Sequence, residues 1–421
     1  MIGFVRSRAI PMVRRVKFKP NPNLSQHLPQ HHLLHIDSVL SHAGIVPTAE
    51  SKGLSPTIDP STTFEREKDG SFRGDVYSRL SNPTRTALES ALSSIESPAP
   101  GSCQTSTFSS GMAAVHALIS SHLRLHKATH LILPDDCYHG VPYQLDAVLS
   151  SAGVTWSHCD MTDEAAVSEA LAQNAQTPTI LWLETPSNPL CRVSDLSLLC
   201  SLGSEAGATT VVDSTWSPPC VTRPLEHGAD AVLHSATKYM GGHSDVLMGT
   251  VTCSLLTPGQ ERMASAVRDT QGAVGSVPGP FDCFLVLRGL RSMHVRVERS
   301  CQNAMRLAKY LKGRGGKVRK VHYPGLEDHP QHEVAKGQMS MFGGMLSFEV
   351  EGGREAAMAV AGGGGGLVKR ATSLGGTETL IEHRASIEPE GRVVSPEGLL
   401  RVSVGIERFE DIRDDFERML Q

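Results

Sequence analysis

Residues 179–213 read TILWLETPSNPLCRVSDLSLLCSLGSEAGATTVVD, and this stretch decides the fold. Thr179–Leu183 is an apolar, strand-like run. A helical pattern follows over Asp195–Ala206, and a second apolar run, Thr209–Val212, ends on Asp213. Runs that are apolar at successive positions, rather than alternating, belong to strands covered on both faces. The alternation extends outward. Upstream lie Thr105–Ser109, a helical stretch Met112–Leu125 after Gly111, then His130–Leu133 and Val154–His158. Asp160-Met161-Thr162-Asp163 supplies caps for a helix over Glu164–Ala172. Downstream, Ala231–His234 is another strand. The fold expected is α/β, with a mostly parallel sheet and helices on both faces.

After about Leu290 the pattern changes. Met293–Leu311 reads as one long amphipathic helix of the kind that joins two units. Gly344–Val350, Glu355–Ala361, Leu400–Val404 and Phe409–Leu420 read as a smaller C-terminal α/β unit. Gly362–Gly366 suits neither helix nor strand and is read as a loop. The chain divides into a basic extension 1–36, an N-terminal arm 37–90, a large domain 91–290 and a small domain 291–421.

Composition narrows the class. The chain has 421 residues, of which 39% are hydrophobic and 20% charged, a globular balance. A net charge of −4 gives no electrostatic case for nucleic acid. No apolar run approaches the roughly 18 residues that span a membrane. Nine cysteines without a CxxC pair read as buried thiols in an intracellular chain, with no metal site expected. The extension carries Arg6, Arg8, Arg14, Arg15, Lys17 and Lys19 with no acid before Asp37. It reads as a disordered cytoplasmic arm or as a mitochondrial or plastid leader. His27, His31, His32 and His35 read as solvated polar sequence. His122 and His126, one turn apart, read as part of a solvated helix face.

Ligands of open α/β sheets sit at the carboxyl ends of the strands. There the strand ending at His234 runs into Ser235-Ala236-Thr237-Lys238-Tyr239-Met240-Gly241-Gly242. A lysine between hydroxyls, followed by paired glycines, suits an amine that condenses with an aldehyde, with Ser235 and Thr237 bonding a phosphate. Ser109-Ser110-Gly111-Met112 opens a helix, whose free amides and dipole favour an anion. Asp213 either faces a protonated pyridine nitrogen or serves as a strand-end turn or cap.

Together with Tyr77-Ser78-Arg79-Leu80-Ser81-Asn82-Pro83, Glu184-Thr185-Pro186-Ser187-Asn188-Pro189, Ser373-Leu374-Gly375-Gly376 and Leu400-Arg401-Val402-Ser403-Val404-Gly405, these motifs carry a resemblance. From about Ser38 to Leu420 the sequence resembles the Cys/Met-metabolism group of pyridoxal 5′-phosphate (PLP) enzymes, which contains cystathionine γ-synthase, the cystathionine lyases, methionine γ-lyase and the acylhomoserine sulfhydrylases. The resemblance implies the fold-type I, aspartate-aminotransferase-like architecture and trans-sulfuration chemistry at Cβ or Cγ. The substrate implied is a small sulfur-containing or O-acyl amino acid. Synthase or lyase activity on cystathionine is favoured. Acylhomoserine sulfhydrylase or methionine-type C–S lyase activity is the alternative. It implies that Lys238 holds PLP and shuttles protons, that Asp213 faces the pyridine nitrogen, and that Tyr138 stacks on the ring. Gly111, Met112, Ser235 and Thr237 would bind the phosphate, Asn188 the ring hydroxyl, and Ser373 and Arg401 the substrate carboxylate. Tyr77 and Arg79 would reach in from a neighbouring subunit of a dimer of dimers with shared sites.

Departures bear on substrate. Cystathionine-handling members usually carry acids where this chain has Val76 and Thr372. The cysteine typical of methionine γ-lyase is replaced by Gly140, and Arg384 stands where many members have proline. That arginine either lines the substrate mouth or pairs with Glu382. A catalytically silent scaffold is disfavoured because Lys238, Asp213 and Arg401 are intact.

Overall fold

The computed structural model describes residues 34–45, 53–72, 74–97, 99–364, 366–388 and 395–421. Residues 1–33 of the basic extension therefore lie outside the description. Ile36, its last residue, already begins a short helix, Ile36–Ser41.

Seven strands form the larger sheet: β1 (Cys103–Phe108), β2 (Thr129–Pro134), β3 (Val154–Cys159), β4 (Thr179–Glu184), β5 (Thr209–Asp213), β6 (Ala231–Ser235) and β7 (Gly249–Ser254). Their order is β1-β7-β6-β5-β4-β2-β3. Only β7 runs against its neighbours, pairing antiparallel with both β1 and β6. The reason for the continuous apolar runs is visible in β4. Ile180 and Trp182 enter the core on one face, while Leu181 and Leu183 enter the core on the other. A period-2 strand with both faces covered must be apolar throughout. Helices Gly111–His126 and Pro258–Val274 cover the first face. Glu164–Gln173 and Leu196–Glu205 cover the second.

The helix Met293–Lys312 spans two cores. Met293, Val297 and Cys301 pack with Leu287, Leu290 and Met240. Its second half, Ala304, Leu307 and Leu311, packs against a five-stranded sheet. That sheet comprises β8 (Val318–His322), β9 (Met345–Val350), β10 (Lys369–Arg370), β11 (Leu380–His383) and β12 (Leu399–Ser403), in the order β10-β11-β12-β9-β8. Of the glycine run, Gly362 closes the helix Gly353–Gly362, Gly363, Gly364 and Gly366 lie outside helix and strand as expected, and Gly365 lies outside the described residues.

One expectation is corrected. His122 is buried, not solvated: its Nδ1 meets Thr129 Oγ1 at 2.9 Å, and burial pushes its imidazole down to about 3. It is a neutral core histidine bracing the helix against β2. Among the described residues no cluster of three or more His, Cys, Asp or Glu could hold a metal. No described helix is long and apolar enough to cross a membrane.

Candidate active site

Lys238 sits in the tight turn after β6. Its amide donates to Ser235 O at 3.0 Å, and Gly242 N donates back to Lys238 O at 2.7 Å. Gly242 has φ +72°, and a Cβ there would strike the Arg296 guanidinium. That guanidinium reaches past the glycine to bond Tyr239 O at 3.0 Å and Gly289 O at 2.7 Å. The paired glycines therefore let a buried arginine pin the lysine loop from behind.

The lysine amine donates to Ser373 Oγ at 2.7 Å. Ser373 has φ +104°, an unfavourable value for a non-glycine residue, of the kind that concentrates at functional sites. Gly375 packs against the lysine loop so closely that a Cβ would lie 2.7 Å from Tyr239 N. Burial, and secondarily the Arg401 charge, pushes the Lys238 amine down to about 8.

Two carboxylates face each other across adjacent strand ends, Glu184 on β4 and Asp213 on β5. Both are buried. Burial pushes both upward; the Asp213 charge adds to this at Glu184, while bonds from Thr215, whose amide reaches Asp213 Oδ1 at 3.0 Å, oppose it at Asp213. Glu184 stands in a quoted motif but was given no role there. Its Oε2 accepts from Tyr138 N at 2.7 Å and its Oε1 from Asn188 N at 2.9 Å. One carboxylate thus sets the backbone of both residues. Its place at a strand's carboxyl end beside Asp213 was the available signal.

Tyr138 is 38% exposed, with its ring open to the space above these strand ends. Gly140 explains that pose. A Cβ at 140 would collide with the Tyr138 ring and lie 3.1 Å from Met112 Sδ, so a cysteine there would require Tyr138 to move.

The helix Gly111–His126 points its first turn at the same region. Ser110 Oγ caps Ala113 N at 3.1 Å. A Cβ on Gly111 would lie 3.3 Å from Ser235 Oγ, and one on Gly249 of β7 would strike Ser110 O. Gly111, Met112 and Ser235 therefore converge on a narrow cradle at a helix N-terminus. Thr237 is less free: its hydroxyl accepts from Met248 N at 2.9 Å and donates to Met248 O at 3.3 Å.

Arg401, on β12, donates to Asn188 Oδ1 at 3.2 Å and Ser373 O at 3.3 Å, and pairs with Glu382 at 2.6 Å. Arg384 is buried and pairs with Glu382 at 3.1 Å, so its ion pair is now explicit. Tyr77 and Arg79 are not brought to Lys238 within one chain. Tyr77 is 46% exposed, and Arg79 lies over its ring at 5.8 Å and donates to Gly272 O.

These residues fit PLP on three observations. The amine is half-buried and deprotonates near neutrality. A buried carboxylate closes the strand end opposite it. The glycine-lined helix N-terminus leaves room for a phosphate.

A family model described as Cys/Met metabolism PLP-dependent enzyme matches residues 37–421. The chain is 38% identical over 394 residues to a cystathionine beta-lyase of Coxiella burnetii, covering 92% of this chain and 98% of that protein. It is 38% identical over 384 residues to a cystathionine gamma-synthase of Mycobacterium tuberculosis, covering 90% and 95% respectively. The crystal structure of cystathionine gamma synthase from Xanthomonas oryzae in complex with cystathionine superposes with a TM-score of 0.84 at 36% identity, covering 92% of this chain and 98% of that one.

Proposed function

Because this chain belongs to the Cys/Met metabolism PLP-dependent enzymes, we propose that it makes or breaks the C–S bond of cystathionine-type amino acids at the site around Lys238. It is a PLP-dependent enzyme of trans-sulfuration, of the cystathionine synthase and lyase kind, with the fold-type I architecture. The single observation that carries the site is the Lys238–Ser373–Arg401 chain of contacts. It supports reading Lys238 as the proton-transferring amine and Arg401 as the guanidinium that takes a carboxylate.

Bound PLP withdraws electron density from the substrate's Cα, which makes the protons at Cα and Cβ removable. The protein's own groups do the rest. Arg401 holds the α-carboxylate through its planar fork, leaving Cα near the lysine amine. Lys238, with its affinity for protons reduced to about 8, takes a proton and returns it at neutral pH. Asp213 would hold a proton on the ring nitrogen of bound PLP. Tyr138, whose phenol burial pushes up, stays protonated and would lie against the ring of bound PLP. Loss of a thiol from Cβ or exchange at Cγ uses the same groups.

Incubating the holoenzyme with cystathionine, with O-acylhomoserines plus thiols, and with methionine, and identifying the products, tests the reading. No product from any of them overturns it. The alternative, an acylhomoserine sulfhydrylase or methionine-type lyase, is favoured by Val76 and Thr372. Neither supplies a charge for the distal ammonium of cystathionine. Installing Val76→Glu and Thr372→Glu should lower the KM for cystathionine roughly tenfold, the worth of one charge-assisted bond. Weaker cystathionine binding in that variant would show that other residues read the distal end.

The lysine shift gives a pH prediction. With a value of about 8, roughly one-tenth of the amine is neutral at pH 7, against a few ten-thousandths for an ordinary lysine. The rate at which cofactor-free protein recaptures PLP covalently should rise with pH and level off above about 8. A rate still climbing through pH 9.5 in stopped-flow absorbance would contradict the shift.

A further inference from the structure

We propose that Arg384 is a positioning residue for substrate binding, sharing the Glu382 carboxylate so that Arg401 keeps its positive charge for the substrate's α-carboxylate. The proposal rests on the reading of Arg401 given above. Glu382 and Arg401 are register partners on β11 and β12, and Arg384 opens the turn directly after β11. Both guanidiniums converge on a single oxygen. Glu382 Oε2 meets Arg401 Nη2 at 2.6 Å and Arg384 Nη1 at 3.1 Å, while Glu382 Oε1 has no hydrogen-bond partner among the described residues. All three side chains are buried.

In that low-dielectric setting the division of the Glu382 charge decides the outcome. A lone Glu382–Arg401 pair would be closed and neutral, with little attraction left for an incoming carboxylate. With Arg384 on the same oxygen, the Glu382 charge is shared between two guanidiniums and Arg401 is only partly neutralised. Glu388 meets Arg384 Nη2 at 3.7 Å and also accepts from Ser395 N at 3.1 Å. It balances the cluster through Arg384, not through Arg401. Two carboxylates already meet Arg384, which argues against its taking a second substrate carboxylate itself.

The test uses the holoenzyme and four variants: Arg384→Met, Arg384→Lys, Glu382→Gln, and Arg384→Met combined with Glu382→Gln. Two quantities are read. One is KM against kcat for the substrate the wild type turns over. The other is the dissociation constant of glycine, which has a carboxylate but no leaving group, from the visible spectrum of the bound cofactor. Arg384→Met should raise both KM and the glycine constant roughly tenfold, with kcat changing far less. Arg384→Lys should recover most of the loss. Adding Glu382→Gln to Arg384→Met should restore glycine binding, because the competing carboxylate has gone. A structural role predicts the opposite pattern: lost stability and kcat, unchanged glycine binding, and no recovery in the double variant. That pattern overturns the proposal. If Arg384→Met does not accumulate, Glu382→Gln alone decides, since loss of glycine binding in it is equally fatal. A wild-type enzyme that holds PLP but binds no α-amino acid instead strikes the reading of Arg401, before any variant is made.

Discussion

Lys238→Ala is expected to lose more than about a thousandfold in turnover, the scale at which a positioned acid–base group contributes, while still retaining PLP. The loss follows from position. The amine is the group that meets Ser373 Oγ at 2.7 Å, and its reduced proton affinity lets it act as base and then acid near neutrality. Retention follows from the separation of the contacts. Gly111, Met112 and the carboxylate of Asp213 stand on other elements, and Ser235, in the same turn, meets Lys238 through a backbone amide that alanine keeps. The variant should therefore keep cofactor through dialysis but lack the visible absorbance of lysine-bound PLP. Two measurements check this: product formation over the substrate panel, and the absorbance spectrum before and after borohydride treatment. Normal turnover with cofactor present would falsify the assignment.

Much of this architecture was legible from the chain because the parallel strands are buried on both faces. β4, β5 and β6 announce themselves as apolar runs closing on Glu184, Asp213 and Ser235. Of the smaller sheet, β8, β10 and β11 were unread. In the larger sheet the strand that escaped notice, β7, reads GTVTCS. Its polar hydroxyls are satisfied inside the sheet, as when Thr105 and Thr252 bond across β1 and β7 at 2.9 Å. A buried threonine in a strand leaves no apolar signature. The helices Pro83–Glu96, Pro258–Val274 and Pro280–Leu290 were equally quiet, though each opens with proline in its first turn, a start signal that sequence does carry.

At the site, the residues brought together are those on strand ends and the turns just after them, where chemistry-bearing side chains interrupt apolar sequence. What sequence could not show is second-order. Glu184 acts through two backbone amides, and Arg384 acts through Glu382. The Glu184–Tyr138 contact spans 46 residues and has no spacing rule; the Arg384–Glu382 pair, two residues apart, was an expectation, but its sharing with Arg401 across β11 and β12 was not. His122 failed for a related reason. Its helix carries Arg124 and His126 nearby, but the turn of the helix aims His122 inward at Thr129.

Mixing two inactive proteins, Arg79→Ala and Lys238→Ala, should restore about a quarter of the wild-type activity after the subunits exchange. The figure follows from symmetry. In a two-fold dimer whose sites borrow residues across the interface, random pairing makes half the dimers hybrid, and each hybrid holds one intact site and one doubly damaged site. The structure supplies the motive. Within its own chain Arg79 rests on Gly272 O, beside the exposed Tyr77 ring, and neither contacts Lys238. Leu80, directly after Arg79, is also exposed at 39%. A guanidinium and a phenol held at the surface of an N-terminal arm can complete a phosphate site only by reaching into another subunit's. Arg79→Ala alone should weaken PLP retention severalfold or more, since it removes one charge-assisted contact to phosphate. Native mass spectrometry establishes that hybrids have formed, and activity is read on the same sample. Hybrids that form and remain inactive would place Arg79 in its own chain's site. A protein that runs as a fully active monomer at low concentration would remove the shared site altogether, and the surface placement of Tyr77 and Arg79 would then need another occupant.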